Sequence, residues 1–315
     1  MILKDVLKEG VNFLKSSGNE APAFEAGVIL CHVLKCRKVF LYTHDDYNLN
    51  EKEYREYIEA VRKRANGEPL QYITGHQEFM SLDFKVTPDV LIPRQDTEIL
   101  VESVLEYAKD EKVTKYINVK DSKDIEDTKH IESTKNTKDS SIDILDIGTG
   151  SGCIAVSLAH YIKNSRIVAV DISQKALDVA KYNAQKNNVA DRIEFICGDI
   201  FTGLKNIFRG GEKKFDVIVS NPPYIASHEI PYLEKQVKDF EPLKALDGGD
   251  DGLDFYRFIV KEGVNFLKRE GLLALEVGIN QAWDVLKMMG EKYLNIKVVK
   301  DLSGIERVVM GFFRY

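Results

Sequence analysis

The sequence predicts an α/β protein: an open, mostly parallel sheet of seven strands with helices on both faces, preceded by a small helical bundle. The first observation is that, from residue 141 onward, short apolar runs alternate with stretches of helical periodicity. Such alternation favours parallel strands that are joined by helices. The second observation is that residues 1–66 show helical periodicity alone.

Three helices are predicted in the amino-terminal part. The first has apolar residues every three or four positions, the second begins at Pro22 and ends near residue 35, and the third covers residues 51–65 before Gly67. The predicted apolar faces are Leu3, Val6, Leu7, Phe13 and Leu14 in the first helix, and Tyr54, Tyr57, Ile58 and Val61 in the third. We expect residues 1–75 to form one helical domain.

A linker of residues 76–90 is predicted to contain a β-hairpin, because residues 77–80 and 84–86 alternate between apolar and polar side chains. The domain that follows, residues 91–315, begins with a helix that ends near Lys109 and that Asp96 or Thr97 is expected to cap.

Residues 111–140 differ from their surroundings, since they hold seven Lys, seven Asp or Glu and few aliphatic residues. Such a segment buries too little apolar surface to offset the entropy of ordering. We interpret it as a flexible insertion, with partial extension of the preceding helix as the alternative.

The sheet-containing part is predicted in detail from the same alternation. The strands are expected at residues 142–147, 166–170, 193–197, 215–220, 271–277, 296–299 and 307–313. The helices are expected at residues 152–162, 173–187, 253–267 and 281–289. Ligands of such sheets bind beyond the carboxyl ends of the strands, near the point where the strand order reverses.

A proline corner follows the fourth of these strands directly and consists of Asn221, Pro222, Pro223 and Tyr224. Neither proline can extend a strand, because each lacks an N–H and has a fixed φ. The corner therefore presents an amide, backbone carbonyls without ladder partners and an aromatic ring, which suit the binding of a flat NH2 group. The alternative is a plain strand-ending turn with a surface tyrosine.

A glycine-rich turn lies between the first predicted strand and its helix, and comprises Gly148, Thr149, Gly150, Ser151 and Gly152. Glycines permit a tight turn and let a ligand approach the backbone closely. The spacing differs from the dinucleotide-binding pattern and resembles the S-adenosylmethionine loop of Rossmann-like methyltransferases.

Two acidic residues follow the next two strands. Asp171 stands where an acid can bind the hydroxyls of a ribose. The resemblance to the methyltransferases places Asp199 at the adenine amino group and Ile200 beside the adenine ring. The alternatives are a helix cap for Asp171 and an ordinary turn residue for Asp199.

Together the two sites predict methyl transfer. In this interpretation the Asn221 side-chain oxygen and the Pro222 carbonyl each accept one N–H of the acceptor, and Tyr224 packs on its flat face. Orienting an acceptor in this way contributes several kcal/mol, up to roughly 7–11 kcal/mol. The corner alone leaves adenine, cytosine and amide nitrogens open as acceptors.

Segments along nearly the whole chain resemble the peptide chain release factor glutamine methyltransferases, the PrmC/HemK family. They are residues 67–75, 78–79, 91–94, 96–98, 146–152, 221–224, 241–242 and 245–249, together with Asp301, Gly304 and Arg307. The resemblance implies a Rossmann-like class I methyltransferase that uses S-adenosylmethionine and releases S-adenosylhomocysteine. It also implies that the acceptor is the glutamine of the Gly-Gly-Gln motif in class I release factors.

The resemblance also assigns the site residues. The corner binds the glutamine, and the glycine turn, Asp171, Asp199 and Asn221 line the cofactor pocket. Arg94 and Glu98 shape the substrate site, with a structural ion pair as the alternative for these two residues. Gln95 stands where the family usually has proline, which is expected to loosen that turn.

Three other functions stay open at this point. An adenine-specific nucleic-acid methyltransferase fits the corner, but the net charge of −6 argues against a tight grip on a phosphate backbone. A ribosomal-protein glutamine methyltransferase shares the same chemistry. A cofactor-binding partner protein without catalysis is the third alternative, which the intact corner disfavours.

Composition sets the remaining expectations. The four cysteines have neither CxxC nor zinc-finger spacing, so no metal is expected. No apolar stretch approaches the roughly 20 residues that span a bilayer, and the amino terminus does not have the pattern of a signal peptide. We therefore expect a cytoplasmic monomer that acts on release factors, without direct binding to nucleic acid or membrane.

Overall fold

The computed structural model describes residues 1–109, 141–200 and 213–314. The chain divides into two compact units. The first comprises Met1–Gln77, Val86–Pro88 and Tyr232–Glu241, and the second comprises Glu78–Lys85, Asp89–Pro231 and Pro242–Tyr315. The interpretation of residues 111–140 as an insertion falls outside the described residues.

The first unit is helical. Its helices are α1 (Leu3–Ser16), α2 (Pro22–Leu34), α3 (Lys38–Thr43), α4 (Glu51–Ala65) and α5 (Leu70–Thr74), with a short helical turn at Lys235–Lys238. The three predicted helices are present within a residue or two of their expected bounds. The prediction missed α3 and α5, because one or two turns contain too few positions to show a period.

The buried stripe of α1 corrects one expectation. Leu3, Val6 and Leu14 are buried as predicted, but Phe13 is 43% exposed. The fourth buried position on this face is Gly10. A Cβ there would lie 2.0 Å from the Tyr57 hydroxyl, so the tyrosine ring occupies the space that a side chain would need. A search for apolar residues overlooks a glycine in this role.

The predicted hairpin consists of β1 (His76–Phe79) and β2 (Leu82–Lys85). Both residues of its turn, Met80 and Ser81, have positive φ angles, 50° and 57°. The helix α6 follows at Asp96–Lys109. It begins where expected, but the Thr97 side chain bonds elsewhere, as described below.

The second unit is built on one large sheet. Its strands are β3 (Ile142–Ile147), β4 (Ser165–Asp171), β5 (Ile193–Cys197), β6 (Phe215–Ser220), β7 (Leu267–Glu276), β8 (Tyr293–Lys300) and β9 (Glu306–Phe313). Its helices are α7 (Cys153–Tyr161), α8 (Gln174–Lys186), α9 (Asp254–Gly263) and α10 (Ala282–Met289).

The strand order is β5-β4-β3-β6-β7-β9-β8. All pairs are parallel except those that β9 makes with β7 and β8. The predicted fold class, a mostly parallel seven-stranded sheet with helices, is thereby confirmed. The order reverses between β3 and β6, so the switch point lies beside their carboxyl ends.

The boundary between α9 and β7 was predicted wrongly. The helix expected at 253–267 ends at Gly263, and β7 begins at Leu267 rather than at residue 271. Leu267 pairs with Phe215 on β6, and the register shifts before the next pair, Val217 with Leu272. This irregular pairing is a tertiary contact, which the local pattern does not encode.

Each face of the sheet carries its own core. On β3, Ile144 packs into one hydrophobic cluster and Leu145 into the other, as the alternation of side chains along a strand requires. The same alternation places Val217 and Ile218 of β6 on opposite faces. The packing of these strands thereby holds in place their carboxyl ends, which the predicted site residues follow. Across the described ranges, none of the helices is both long and apolar enough to cross a membrane.

Candidate active site

The end of β3 and the proline corner after β6 meet at the switch point. Ile147 is the register partner of Ser220, and the Ser220 hydroxyl donates a 2.7 Å hydrogen bond to the Ile147 carbonyl. The residues that follow, Gly148 and Asn221, therefore leave the sheet side by side. The structure thus brings together the two sites that the sequence placed more than 70 positions apart.

The glycine turn is open on its outer side. Gly148, Gly150 and Gly152 have φ angles of 74°, 54° and 80°, which favour glycine. A Cβ at Gly148 would have no heavy atom of the described residues within 4 Å, whereas one at Gly152 would lie 3.0 Å from the Ala180 Cβ. The first glycine therefore leaves room for a ligand, and the last allows α8 to pack closely.

Asp171 joins the glycine turn to the end of β4. One carboxylate oxygen accepts a 2.8 Å hydrogen bond from the Gly150 N–H, and the other accepts one of 2.8 Å from the Ser173 N–H. Ser173 is the residue that caps α8, through a bond from the Ala176 N–H. Burial raises the Asp171 pKa, and the backbone N–H groups partly counter this effect.

A second acid, Asp146, lies under the turn and is fully buried. Its Oδ2 accepts a 2.6 Å hydrogen bond from the Thr149 hydroxyl. Burial is the main reason that its pKa rises to about 7. Asp146 thus anchors the turn to the buried interior of the domain.

The third acid stands on the neighbouring strand. Asp171 pairs with Cys197 at the end of β5, and half-buried Asp199 follows two residues later. Ile200 is 8% exposed and packs into the core cluster of Leu145 and Val170. The glycine turn, Asp171 and Asp199 therefore occupy adjacent strand ends, while their predicted contacts with a cofactor stay predictions.

Two segments fix the backbone at the end of the proline corner. The Ile225 N–H donates to the Leu246 carbonyl at 3.0 Å, and the Gly248 N–H donates to the Ile225 carbonyl at 2.8 Å. From the other side, the Gln281 side-chain amide donates to the Tyr224 carbonyl at 2.9 Å. The corner is therefore held by backbone bonds in addition to its two prolines.

A buried glutamate that the sequence reasoning missed completes the corner. Glu276, the last residue of β7, is 2% exposed, and the neighbouring Thr97 and Asn221 side chains lower the pKa of its carboxyl group. The Asn221 Nδ2 donates to the Thr97 Oγ1 at 3.1 Å. Thr97 therefore serves the corner rather than capping α6. The available signal was a charged residue at the end of a buried strand, the same signal that identified Asp171.

Charged groups surround this cluster. Arg307 on β9 binds Asp96 at 2.8 Å and Asp301 at 2.9 Å, which brings three residues of the resembling segments together. Burial is the main reason that the Tyr224 pKa rises to about 12, and the Glu276 and Asp96 charges raise it further, whereas the Arg94 and Arg307 charges lower it. Tyr224 is thus half-buried among these charges and is not a surface tyrosine.

Two predicted substrate residues take different positions. Arg94 is half-buried and its charge acts on Tyr224. The Glu98 carboxylate accepts a 2.6 Å hydrogen bond from the Met80 N–H, in the turn between β1 and β2. Glu98 therefore supports the hairpin, and its role toward a substrate stays a prediction.

A parallel sheet with a glycine turn after its first strand, acids after the next two and an Asn-Pro-Pro-Tyr corner after the fourth defines a Rossmann-like, S-adenosylmethionine-dependent methyltransferase. Comparisons with known proteins agree with this class. Residues 5–75 match the family described as PrmC N-terminal domain, and residues 138–271 match the one described as Methyltransferase domain.

Full-length relatives narrow the class to a family. The chain is 39% identical to the release factor glutamine methyltransferase of Clostridium acetobutylicum, over 99% of this chain and 98% of that protein. It is 40% identical to the protein of that name from Moorella thermoacetica, over 100% and 99%. A third, from Koribacter versatilis, is 36% identical over 99% and 98%. The chain belongs to the release factor glutamine methyltransferase family.

Proposed function

We propose that this protein methylates the side-chain nitrogen of the glutamine in the Gly-Gly-Gln motif of class I release factors. The observation that carries the proposal is the orientation of the Asn221 amide. Its nitrogen donates to the Thr97 hydroxyl at 3.1 Å, and the side chain lowers the pKa of the neighbouring Glu276. Its oxygen accepts no hydrogen bond from residues in the described ranges and is left to accept one from a substrate NH2 group.

The space beside the glycine turn suits an adenosyl ligand. The turn has room at Gly148, and Asp171 lies at its edge with both carboxylate oxygens on backbone N–H groups. In the proposal Asp171 binds the ribose, Asp199 the adenine amino group, and Ile200 the ring. When bound, S-adenosylmethionine supplies a sulfonium methyl, so that a C–N bond forms while the S–C bond breaks and S-adenosylhomocysteine remains.

The corner overcomes the weak nucleophilicity of an amide, whose lone pair is delocalised into its carbonyl. The Asn221 Oδ1 and the Pro222 carbonyl each accept one substrate N–H, which orients the lone pair and favours pyramidal nitrogen. Their dipoles also stabilise the positive charge that develops on nitrogen. The methylated nitrogen is then strongly acidic and loses its proton to water, so no strong base is needed.

The remaining parts of the proposal concern the protein substrate. We propose that the helical domain of residues 1–75 holds the release factor, that residues 76–90 link it to the domain of residues 91–315, and that Arg94 shapes the substrate site. The enzyme works as a monomer in the cytoplasm, where release factors act, and without direct contact to nucleic acid.

The test is a transfer assay with labelled S-adenosylmethionine. Its acceptors are a release factor, the same factor with its motif glutamine changed to alanine, a ribosomal protein and duplex DNA. We expect label on the unmodified release factor alone. Label on DNA or only on the ribosomal protein would contradict the proposed substrate.

A variant pair tests the corner in the same assay. Asn221→Ala is expected to lower the transfer rate by about 10²-fold or more, because orientation of the acceptor is lost. Its cofactor affinity is expected to stay within a few-fold, measured by calorimetry. Asn164→Ala is the control, since Asn164 is exposed and precedes the opposite end of β4. Full activity of Asn221→Ala would refute the proposed grip.

A further inference from the structure

Glu276 is a buried ionisable group that takes no direct part in the proposed methyl transfer. Its strand β7 pairs with β6 so that Leu275 lies opposite Ser220, which places Glu276 beside Asn221. One of its carboxylate oxygens, Oε2, is buried and meets no hydrogen-bond partner within the described residues. A buried carboxyl group with spare acceptor capacity is costly and calls for a reason.

The reason lies in the symmetry of an amide. The oxygen and nitrogen of an asparagine side chain are nearly equal in size, so shape alone does not decide which way the group faces. An ionised carboxylate can only accept hydrogen bonds, whereas the amide nitrogen can only donate. An ionised Glu276 therefore binds the Asn221 nitrogen and turns the oxygen outward.

We propose that Glu276, with Thr97, is a positioning pair that sets the orientation of the Asn221 amide and so decides whether the corner can bind the acceptor NH2. This inference rests on the proposed function for its catalytic consequence. Thr97 contributes because its oxygen accepts from the Asn221 nitrogen at 3.1 Å, which leaves its O–H to donate toward the Glu276 carboxylate, whose pKa it lowers. With Glu276 ionised, the three side chains favour one orientation of the Asn221 amide.

Protonation of Glu276 allows the opposite orientation of the Asn221 amide. A neutral carboxyl carries an O–H that can donate to the Asn221 oxygen, so the amide can rotate and present its NH2 to the NH2 of the substrate. Two donors facing each other form no hydrogen bond. We therefore expect catalysis to require the ionised form of Glu276.

The surroundings of Glu276 place this titration near neutral pH. Burial is the main reason that its pKa rises to about 7, and the Asp96 charge raises it further. The Thr97 and Asn221 bonds and the Arg307 charge lower it. The other ionisable groups that sense its charge are Tyr224, Tyr256 and Cys153, all with raised pKa values, so they are neutral in this range.

The kinetic test compares wild type, Glu276→Gln, Thr97→Val and Thr97→Ser. Wild-type kcat is expected to fall as the pH drops through about 7. Glu276→Gln is expected to lose about 10- to 100-fold in kcat at pH 8 and to show no inflection near pH 7. Thr97→Val removes the hydroxyl that lowers the Glu276 pKa, so the inflection in the pH profile of kcat is expected to move to higher pH. Thr97→Ser keeps the hydroxyl and is expected to restore the wild-type inflection.

Controls separate positioning from folding. Glu106→Gln changes an exposed glutamate on the same helix as Thr97 and is expected to leave kcat and its pH profile unchanged. Cofactor affinity and melting temperature are measured for every variant. A Glu276→Gln protein that keeps the wild-type inflection, or the wild-type kcat, would overturn the inference.

A second measurement does not depend on the acceptor. The side-chain NH2 of Asn221 is followed by 15N-edited NMR in the free protein, with Asn221→Ala used to assign it. We expect its resonances to titrate near pH 7 in wild type and to be independent of pH in Glu276→Gln. An amide that does not titrate in wild type overturns the inference. A titrating amide in a protein that leaves release factor unlabelled refutes the proposed function alone.

Discussion

Gly248 offers a sharp test of how rigidly the corner must be held. A Cβ at this position would lie 2.8 Å from the Pro223 carbonyl oxygen and from the Tyr224 Cα, and 2.9 Å from the Gly252 Cα. All three are backbone atoms, which cannot rotate away. Because ordinary contacts begin at 3.4 Å, Gly248→Ala must separate the corner from the 245–249 segment by about 0.6 Å.

The displacement has two measurable consequences. Hydrogen bonds of 3.0 Å and 2.8 Å that join Ile225 to Leu246 and Gly248 would lengthen beyond the usual range of about 2.7–3.2 Å. Overpacking of this kind costs about 1–3 kcal/mol of unfolding free energy. Since a 1 Å misplacement can cost about 10²-fold in rate, roughly half that distance predicts a kcat lowered about tenfold.

The assay measures kcat, cofactor affinity and urea unfolding for Gly248→Ala and a matched variant. Gly263→Ala is the match, because among the described residues its Cβ would meet only the Ile218 and Tyr293 side chains, both at an ordinary 3.7 Å. We expect Gly248→Ala to lose rate and stability while it keeps its cofactor affinity. Full kcat in a destabilised Gly248→Ala protein would show that chemistry tolerates a displaced corner, and would refute the reasoning.

Two further predictions concern buried polar groups. The native Asp146 pKa of about 7 lies above its ordinary value of 3.8, so the folded protein keeps this proton over a pH range in which the unfolded protein has lost it. The raised pKa therefore contributes stability that is complete below about pH 4 and is lost as the pH rises through 7. Melting curves should therefore show a steeper fall in stability between about pH 4 and pH 7 for wild type than for Asp146→Asn, by at most about 1.4 kcal/mol per pH unit; equal slopes would contradict the assignment. In the helical unit, the Tyr57 hydroxyl is buried without a hydrogen-bond partner in the described residues, so Tyr57→Phe should be neutral or stabilising by up to about 1 kcal/mol. Gly10→Ala should instead destabilise by more than that, because its Cβ would overlap this hydroxyl; a destabilised Tyr57→Phe in urea unfolding would mean that the hydroxyl is satisfied.

Much of the fold followed from the sequence. The alternation after residue 141 predicted the strands β3 to β6 to within a residue, because buried parallel strands are continuous apolar runs between polar turns. Periodicity failed where elements are short, as in α3 and α5, and where a tertiary pairing overrode it, as at Leu267. It also failed at Gly10, where the buried position carries no side chain.

The candidate site, like the fold, could be predicted from the sequence only in part. Gly148, Asp171, Asp199 and Asn221 could be found from the sequence, because glycines, acids and prolines directly after strands carry a local signal. By itself the sequence therefore determined the fold class, the strand ends that form the site and the family. Only the tertiary structure showed that Thr97 and Glu276, which stand 179 positions apart, lie beside the same amide. The direction in which Asn221 faces is decided by hydrogen bonds across the sheet edge, and no local pattern records which strand end will lie beside which helix.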